Sequence, residues 1–339
     1  MSQLFTLRAP GAEERRIGQY SVSRKCLYLA TGLYYTCSMQ KIIPHLWFDR
    51  QAKEAAEFYV SAFGGDSKIT SLDSLSDTPS GNVEVVSFRV LGFDFVSFSA
   101  GPMFKLNPSA SFFVNFDPSR NGATAALDSL WAKLADGGTP LMPLDKYPFS
   151  DRYGWIQDKY GLSWQLILRT PGGDARPNII PSLLFTGEVC GKAEEAMKFY
   201  ASVFAGSKVG TVARYSAEHA PDKPGTIMYE DFALAGHWFA AMDSAYEHGF
   251  TFNEAISFMV SCDTQEEIDY FWGKLAADPD AGQCGWLKDR FGVSWQVTPA
   301  ILNELMRGTP AQRARVTEAF LEMKKFDIAA LKRACDGTA

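Results

Sequence analysis

The sequence predicts an α+β protein of four β-α-β-β-β modules, arranged as two tandem copies and followed by a helical tail. Three observations carry this. A fourteen-residue sentence is written twice, as "YGWIQDKYGLSWQL" (153–166) and "CGWLKDRFGVSWQV" (284–297). Further echoes keep the same order: "IIPHLWF" (42–48) with "IIPSLLF" (179–185), "EAAEFYVSAF" (54–63) with "EAMKFYASVF" (195–204), and "FKLNPSASFFV" (104–114) with "FTFNEAISFMV" (250–260). Within a copy, apolar residues alternate between strand-like and helix-like spacing. The offset between echoes drifts by only a few residues, as loops between equivalent elements would make it drift, so the chain is a duplication. The predicted boundaries are an extension over 1–40, a first domain over 41–169, a linker over 170–178, a second domain over 179–299 and a tail over 300–339. The linker "TPGGDARPN" has the Gly and Pro content of a joining segment.

The elements of one copy follow in order. "IIPHLWF" is short and apolar, a buried strand. Ala55, Phe58, Tyr59, Ala62 and Phe63 fall on one helical face, and Gly64-Gly65 ends that helix. Strands are expected at 67–72, 83–90 and 93–99. "ASFFVNF" (110–116) restarts the pattern, with a helix over 123–135 and strands near 139–144, 153–158 and 162–168. In the last hairpin Asp158 favours the turn and Gly161 supplies a positive φ. Trp155, Trp164, Trp286 and Trp295 are expected in core packing. Neighbours on a strand face opposite sides, so Gln165 and Gln296 should point away from Trp164 and Trp295.

At 339 residues the chain can bury two ordinary cores. A net charge of −6 and a pI near 5.4 give no electrostatic reason to expect nucleic acid or an anionic membrane as partner. Cysteines 26, 37, 190, 262, 284 and 335 show no C-x-x-C pair, which suits reduced thiols and a cytoplasmic setting. In the first forty residues several Arg and Lys precede "CLYLATGLYY", a run shorter than the roughly 20 residues a membrane span needs. A disordered extension is the favoured reading there, and a mitochondrial presequence is the alternative. Thr309-Pro310-Ala311-Gln312 reads as a capping box with Pro at the first helical position. The helix it opens carries Val316, Phe320 and Met323 and should dock on the second copy.

These paired modules resemble the vicinal oxygen chelate superfamily of glyoxalase I, extradiol dioxygenases and bleomycin-resistance proteins. The carriers are "HLWFDRQAKEAAEFYVSAFGGDSKI" at the front and "CGWLKDRFGVSWQV" at the back. The closer match is the PhnB-like branch, whose domains often carry the label 3-demethylubiquinone-9 3-methyltransferase. "FNEAISFMVSCDTQEEIDYFW" and "RVTEAFLEMKKFDIAALKRA" extend the match through the second copy and tail. The resemblance implies tandem glyoxalase-like domains whose sheets curl into cups, and an internal pseudo-dimer of the two copies. It also implies ligand-binding positions at His45 and Ser182 on the first strands, Ser111 and Ser257 on the second modules, and Gln165 and Gln296 on the last strands. A fourth position, near Ser97 and Ala241, offers no good ligand.

One His and two neutral amides are a poor donor set for a divalent metal, so no cofactor is expected and a metal is the lesser reading. The methyltransferase label conflicts with the pattern: Gly64-Gly65 and Gly137-Gly138 end helices and do not open a G-x-G-x-x-G turn. Two function classes remain. The favoured one is a protein binding an apolar or planar small molecule, its cup lined by Phe104, Phe112, Phe250 and Phe258. The other is a metal-assisted glyoxalase- or dioxygenase-type enzyme using His45. Asn107 and Asn253 sit at matched positions and read equally as cup groups or as turn caps.

Overall fold

The computed structural model describes residues 40–78 and 81–338; the extension expected at 1–40 lies outside them, except for Gln40. Module one comprises β1 (Ile42–Phe48), α1 (Ala52–Phe63), β2 (Lys68–Thr78), β3 (Gly81–Val90) and β4 (Phe93–Ser99). Module two has β5 (Ala110–Phe116), α2 (Ala123–Ala135), β6 (Thr139–Tyr147), β7 (Ser150–Gln157) and β8 (Ser163–Leu168). Module three repeats the first as β9 (Ile179–Phe185), α3 (Ala193–Val203), β10 (Lys208–Arg214), β11 (Ile227–Leu234) and β12 (His237–Asp243). Module four holds β13 (Ile256–Cys262), α4 (Gln265–Leu275), β14 (Trp286–Lys288) and β15 (Ser294–Pro299). The tail adds α5 (Leu302–Leu305), α6 (Pro310–Leu321) and α7 (Ile328–Asp336).

The modules do not pair within their copies. One sheet runs β14-β15-β13-β1-β4-β3-β2 and joins module one to module four. The other runs β10-β11-β12-β9-β5-β8-β7-β6 and joins module two to module three. From Leu168 to Ile179 the chain needs only to step over β5, a distance of two strand spacings or roughly 10 Å, to lie antiparallel against it. Modules one and four, left with free edges, then close on each other through β1 and β13. The two loops that carry the chain between sheets are the repeated Asn segments. Asn107 Nδ2 donates to Thr251 O (3.1 Å) and Asn253 Nδ2 to Lys105 O (2.8 Å), a reciprocal tie. Their Oδ1 atoms accept from Ser109 N and Ala255 N, both at 2.9 Å, so they act as turn caps and not as cup groups.

The repeated hairpin shows why its letters recur. Asp289 Oδ1 accepts from Phe291 N and Val293 N across the turn, while Oδ2 accepts from Trp295 Nε1 (2.8 Å) and Tyr200 Oη (2.6 Å). Asp158 does the same for Tyr160 N, Leu162 N and Trp164 Nε1 (2.9 Å). Gly161 and Gly292 complete the turns at φ of +90° and +86°. Burial raises both aspartates above the usual carboxylate range, opposed by these hydrogen bonds. Trp164 and Trp295 are fully buried against α1 and α3 through Tyr59 and Tyr200, in one core that continues through both sheets.

Module four lacks the counterpart of β6. Its segment between α4 and β14 is shorter, and the tail fills the vacant edge: Cys284 N donates to Met323 O and Gly285 N to Lys324 O. Thr309 and Gln312 form the expected capping box with Pro310 at the start of α6. The same helix reaches β2, the opposite edge of that sheet, so the tail extends from one edge of the sheet to the other. On the helix side of the second sheet Glu230 is fully buried with neither carboxylate oxygen hydrogen-bonded. Among the described residues no helix is long and apolar enough to cross a membrane.

Candidate functional site

Strand alternation sends two sets of side chains to the faces opposite the helices. In the sheet of modules one and four, His45 lies beside Ser257 across the β1–β13 ladder, and Gln296 follows on β15. Gln296 Nε2 sits 2.9 Å from His45 Nδ1 and 2.9 Å from Ser257 Oγ. Around this polar line stand Trp47, Phe98 and Trp286, in edge-to-face contacts with centroids 5.2–6.4 Å apart, with Val83, Val85 and Leu75 beyond. Trp47 is held by its Nε1 donating to Gly101 O (2.7 Å), and Phe104 packs edge-on against it at 5.0 Å. The His45 Nε2 atom is sealed from solvent and makes no hydrogen bond. Desolvation alone holds this imidazole down at about 3, so it is neutral throughout the physiological range.

The second cup repeats the plan with different groups. Ser182 faces Ser111 across β9–β5, and Gln165 Nε2 donates to Ser111 Oγ (2.9 Å). Its Oε1 accepts from Tyr153 Oη (2.6 Å), whose phenol burial raises well above its ordinary value. Ser182 Oγ is buried and unpartnered. Phe113, Trp155, Tyr229 and Trp238 share this face, with Met142 and Met242. At one end Arg176, from the linker, donates to both oxygens of Asp231 (2.8 and 3.2 Å) and lies 3.8 Å over the Trp238 ring. Both ends of this ion pair are nearly excluded from water, at 6% and 4% side-chain exposure. Gly210 makes room for it, since a Cβ there would overlap the Asp231 carboxylate.

All six residues singled out in the sequence lie on the sheet faces turned away from the helices, but not in the grouping that the repeat suggested. His45 meets Ser257 and Gln296 from the other copy; Ser182 meets Ser111 and Gln165. Four expectations need correction. Phe112 and Phe258 turn into the core against Trp164 and Trp295, because they are odd-numbered steps from the cup-facing positions. Phe250 lies tilted against His248, with centroids 5.1 Å apart, in the loop after β12. Trp155 and Trp286 line the cups and do not pack the core, each being the cross-strand neighbour of a cup glutamine. Ser97 points at α1, where its hydroxyl donates to Ala52 O (3.2 Å), and Val96 takes the cup-facing place beside His45. The Arg176–Asp231 pair leaves no local sequence signal, since nothing links a linker arginine to a strand aspartate 55 residues later.

A divalent ion fits the His45 cup poorly. One imidazole, one neutral amide and one hydroxyl supply no negative charge to offset the ion's desolvation. Among the described residues no group of three or more His, Cys, Asp or Glu is placed to hold a metal ion.

Comparison with known proteins matches the geometry's duplication. The family model for 3-demethylubiquinone-9 3-methyltransferase matches twice, over residues 40–167 and 177–298. A PhnB protein from Bacillus cereus is 34% identical; the match covers 38% of this chain and 99% of that one, with a TM-score of 0.34. A protein from Pseudomonas aeruginosa is 20% identical over 39% of this chain and 98% of its own, with a TM-score of 0.32. Glyoxalase I from Zea mays is 12% identical over 79% of this chain and 95% of its own, with a TM-score of 0.46. No curated protein matches the chain. With both copies matched along nearly their whole length, the chain belongs to the 3-demethylubiquinone-9 3-methyltransferase family, in two tandem copies.

Proposed function

We propose that the chain binds an apolar, planar small molecule in the cup of His45, Ser257 and Gln296, and that it binds without acid–base or metal chemistry there. The observation that carries this reading is His45 itself. Its Nε2 is buried and unpartnered among aromatic side chains, a standing cost of about 1–3 kcal/mol that a ligand's hydrogen bond would remove. With its titration near 3, placing a proton on this ring at pH 7 costs roughly 5 kcal/mol, which makes it a weak general base. The edges and faces of Trp47, Phe98 and Trp286 suit a flat ring system with few polar atoms. The cups of Ser182 and His45 differ in chemistry, so one class of ligand need not occupy both.

Methyl transfer, the activity in the family's name, draws no support from this fold. Both sheets are mixed, and the turn from the parallel-paired β9 to α3, which carries Gly187 and Gly191, does not have the G-x-G-x-x-G spacing. The competing reading, a metal-assisted glyoxalase or dioxygenase using His45, needs more imidazole or carboxylate donors than this one histidine supplies.

The test is a titration with Nile red, a neutral planar dye, read by quenching of tryptophan fluorescence, beside metal analysis of the purified protein. Binding that weakens in His45→Ala and Gln296→Ala, with metal far below one per chain, supports the proposal. Stoichiometric metal that is lost in His45→Ala would establish the metal-assisted reading instead.

A further inference from the structure

We infer that the His45 cup selects uncharged planar ligands through an acceptor oxygen, because Gln296 and Ser257 fix the imidazole as a buried N–H donor. The inference rests on the binding reading above and adds the ligand's chemistry. The Gln296 amide nitrogen has two hydrogens. One goes to Ser257 Oγ and the other to His45 Nδ1, both at 2.9 Å. A ring nitrogen that accepts a hydrogen bond carries no proton, so the neutral imidazole keeps its hydrogen on Nε2. That N–H is left sealed and unpartnered, with the Phe98 ring edge-on to the imidazole at 6.0 Å between centroids. A carbonyl or ether oxygen placed on it completes the network, whereas a ligand C–H or N–H leaves a buried donor facing nothing or facing another donor. The walls Trp47, Phe98 and Trp286 offer no cation to an anionic ligand, so the acceptor belongs to a neutral molecule.

The second cup is the internal contrast. Ser182 stands where His45 stands, and its free hydroxyl can rotate either to donate or to accept. That cup therefore lacks a fixed polarity, although Gln165 and Ser111 repeat the glutamine–serine pair. The duplication has kept one scaffold and given its two cups unlike rules of recognition.

Three flat probes of similar size separate the possibilities: naphthalene, with no polar atom; 2-acetylnaphthalene, with an acceptor only; and indole, with a donor. Each is titrated into the full chain and followed by calorimetry, with His45→Ala and Ser182→Ala used to assign each binding event to its cup. In the His45 cup, 2-acetylnaphthalene should bind about tenfold more tightly than the other two, the size of one added neutral hydrogen bond. The preference should persist from pH 5 to 9 and be absent from the Ser182 cup. Gln296→Glu places an acceptor at Nδ1, moves the ring hydrogen there and turns Nε2 into an acceptor, so preference should pass to indole. If that variant does not fold, loss of the acetyl preference in His45→Ala remains as the control. Equal affinity of the three probes, or a preference for indole in the unmodified chain, overturns the inference and leaves the binding reading intact. Failure of all three to bind in the His45 cup removes both.

Discussion

Replacing Glu230 by glutamine should stabilise the protein, and by more as the pH rises. Glu230 is fully buried beneath α3 and neither carboxylate oxygen has a hydrogen-bond partner. Burial first, then the charges of Glu194 and Asp243, push its carboxyl up to about 7, against the opposing pull of Arg214 and Lys198. The module-one residue at the same ladder position is Val86, which shows that the fold accepts an uncharged side chain there. A carboxyl raised in the folded state stabilises it most below the unfolded value, 4.5. That contribution is lost as pH climbs from 4.5 to about 7, where the folded state also gives up the proton, and the loss is constant above. The gap corresponds to roughly 3 kcal/mol as an upper figure. Gln cannot ionise and keeps the shape. Urea unfolding of both proteins at fixed ionic strength should therefore give nearly equal stabilities at pH 4 to 4.5. The variant should lead by up to about 3 kcal/mol at pH 8. A difference that does not change with pH, or one that grows toward acid, would refute the reasoning.

Trp295→Ala, which empties a fully buried site, should cost about 3–5 kcal/mol, whereas Gln296→Ala should cost much less and weaken probe binding; comparing unfolding midpoints with titrations checks the split. Arg176→Met leaves Asp231 buried without its cation and should destabilise by about 3–5 kcal/mol in denaturant melts, an effect that a double variant with Asp231→Leu should partly reverse. Phe320→Ala removes packing from the tail that extends between the two edges of the His45 sheet. Stopped-flow fluorescence should then show faster association of a cup ligand, and an unchanged rate would deny the tail any part in access. Thr309→Ala should lower stability by about 1 kcal/mol through the lost cap, measurable by thermal unfolding.

The candidate site was partly legible because strand alternation is a local rule. Once "SWQ" is placed on a strand, Trp295 and Gln296 must part, and the structure sends one to Asp289 in the core and the other to His45. The same rule, applied across the ladder, would have put Trp155 and Trp286 in the cups. Their bulk alone points to the core, but the register makes each the partner of a glutamine. For Phe112 and Phe258 the opposite holds: aromatic character suggests a ligand wall, but strand parity turns both inward against Trp164 and Trp295.

Taken alone, the sequence determined the four modules, the order of elements within them, the closing hairpins and the capped tail helix. These depend on periodicity, turn residues and caps acting over a few positions. It also determined that two tandem copies exist and that one cup position holds His45 where its equivalent holds Ser182. Only the tertiary structure decided which modules share a sheet. In a duplicated chain the edge of β1 can meet β5 or β13, whose sequences carry the same pattern, so local chemistry cannot choose between them. The pairing of β9 with β5 and of β1 with β13 is settled only in the assembled sheets. That choice placed His45 with Ser257 and Gln296 from the far end of the chain and left its Nε2 buried and unpartnered. It likewise left Glu230 without a partner, because what surrounds a buried carboxyl is set by packing between elements distant in sequence.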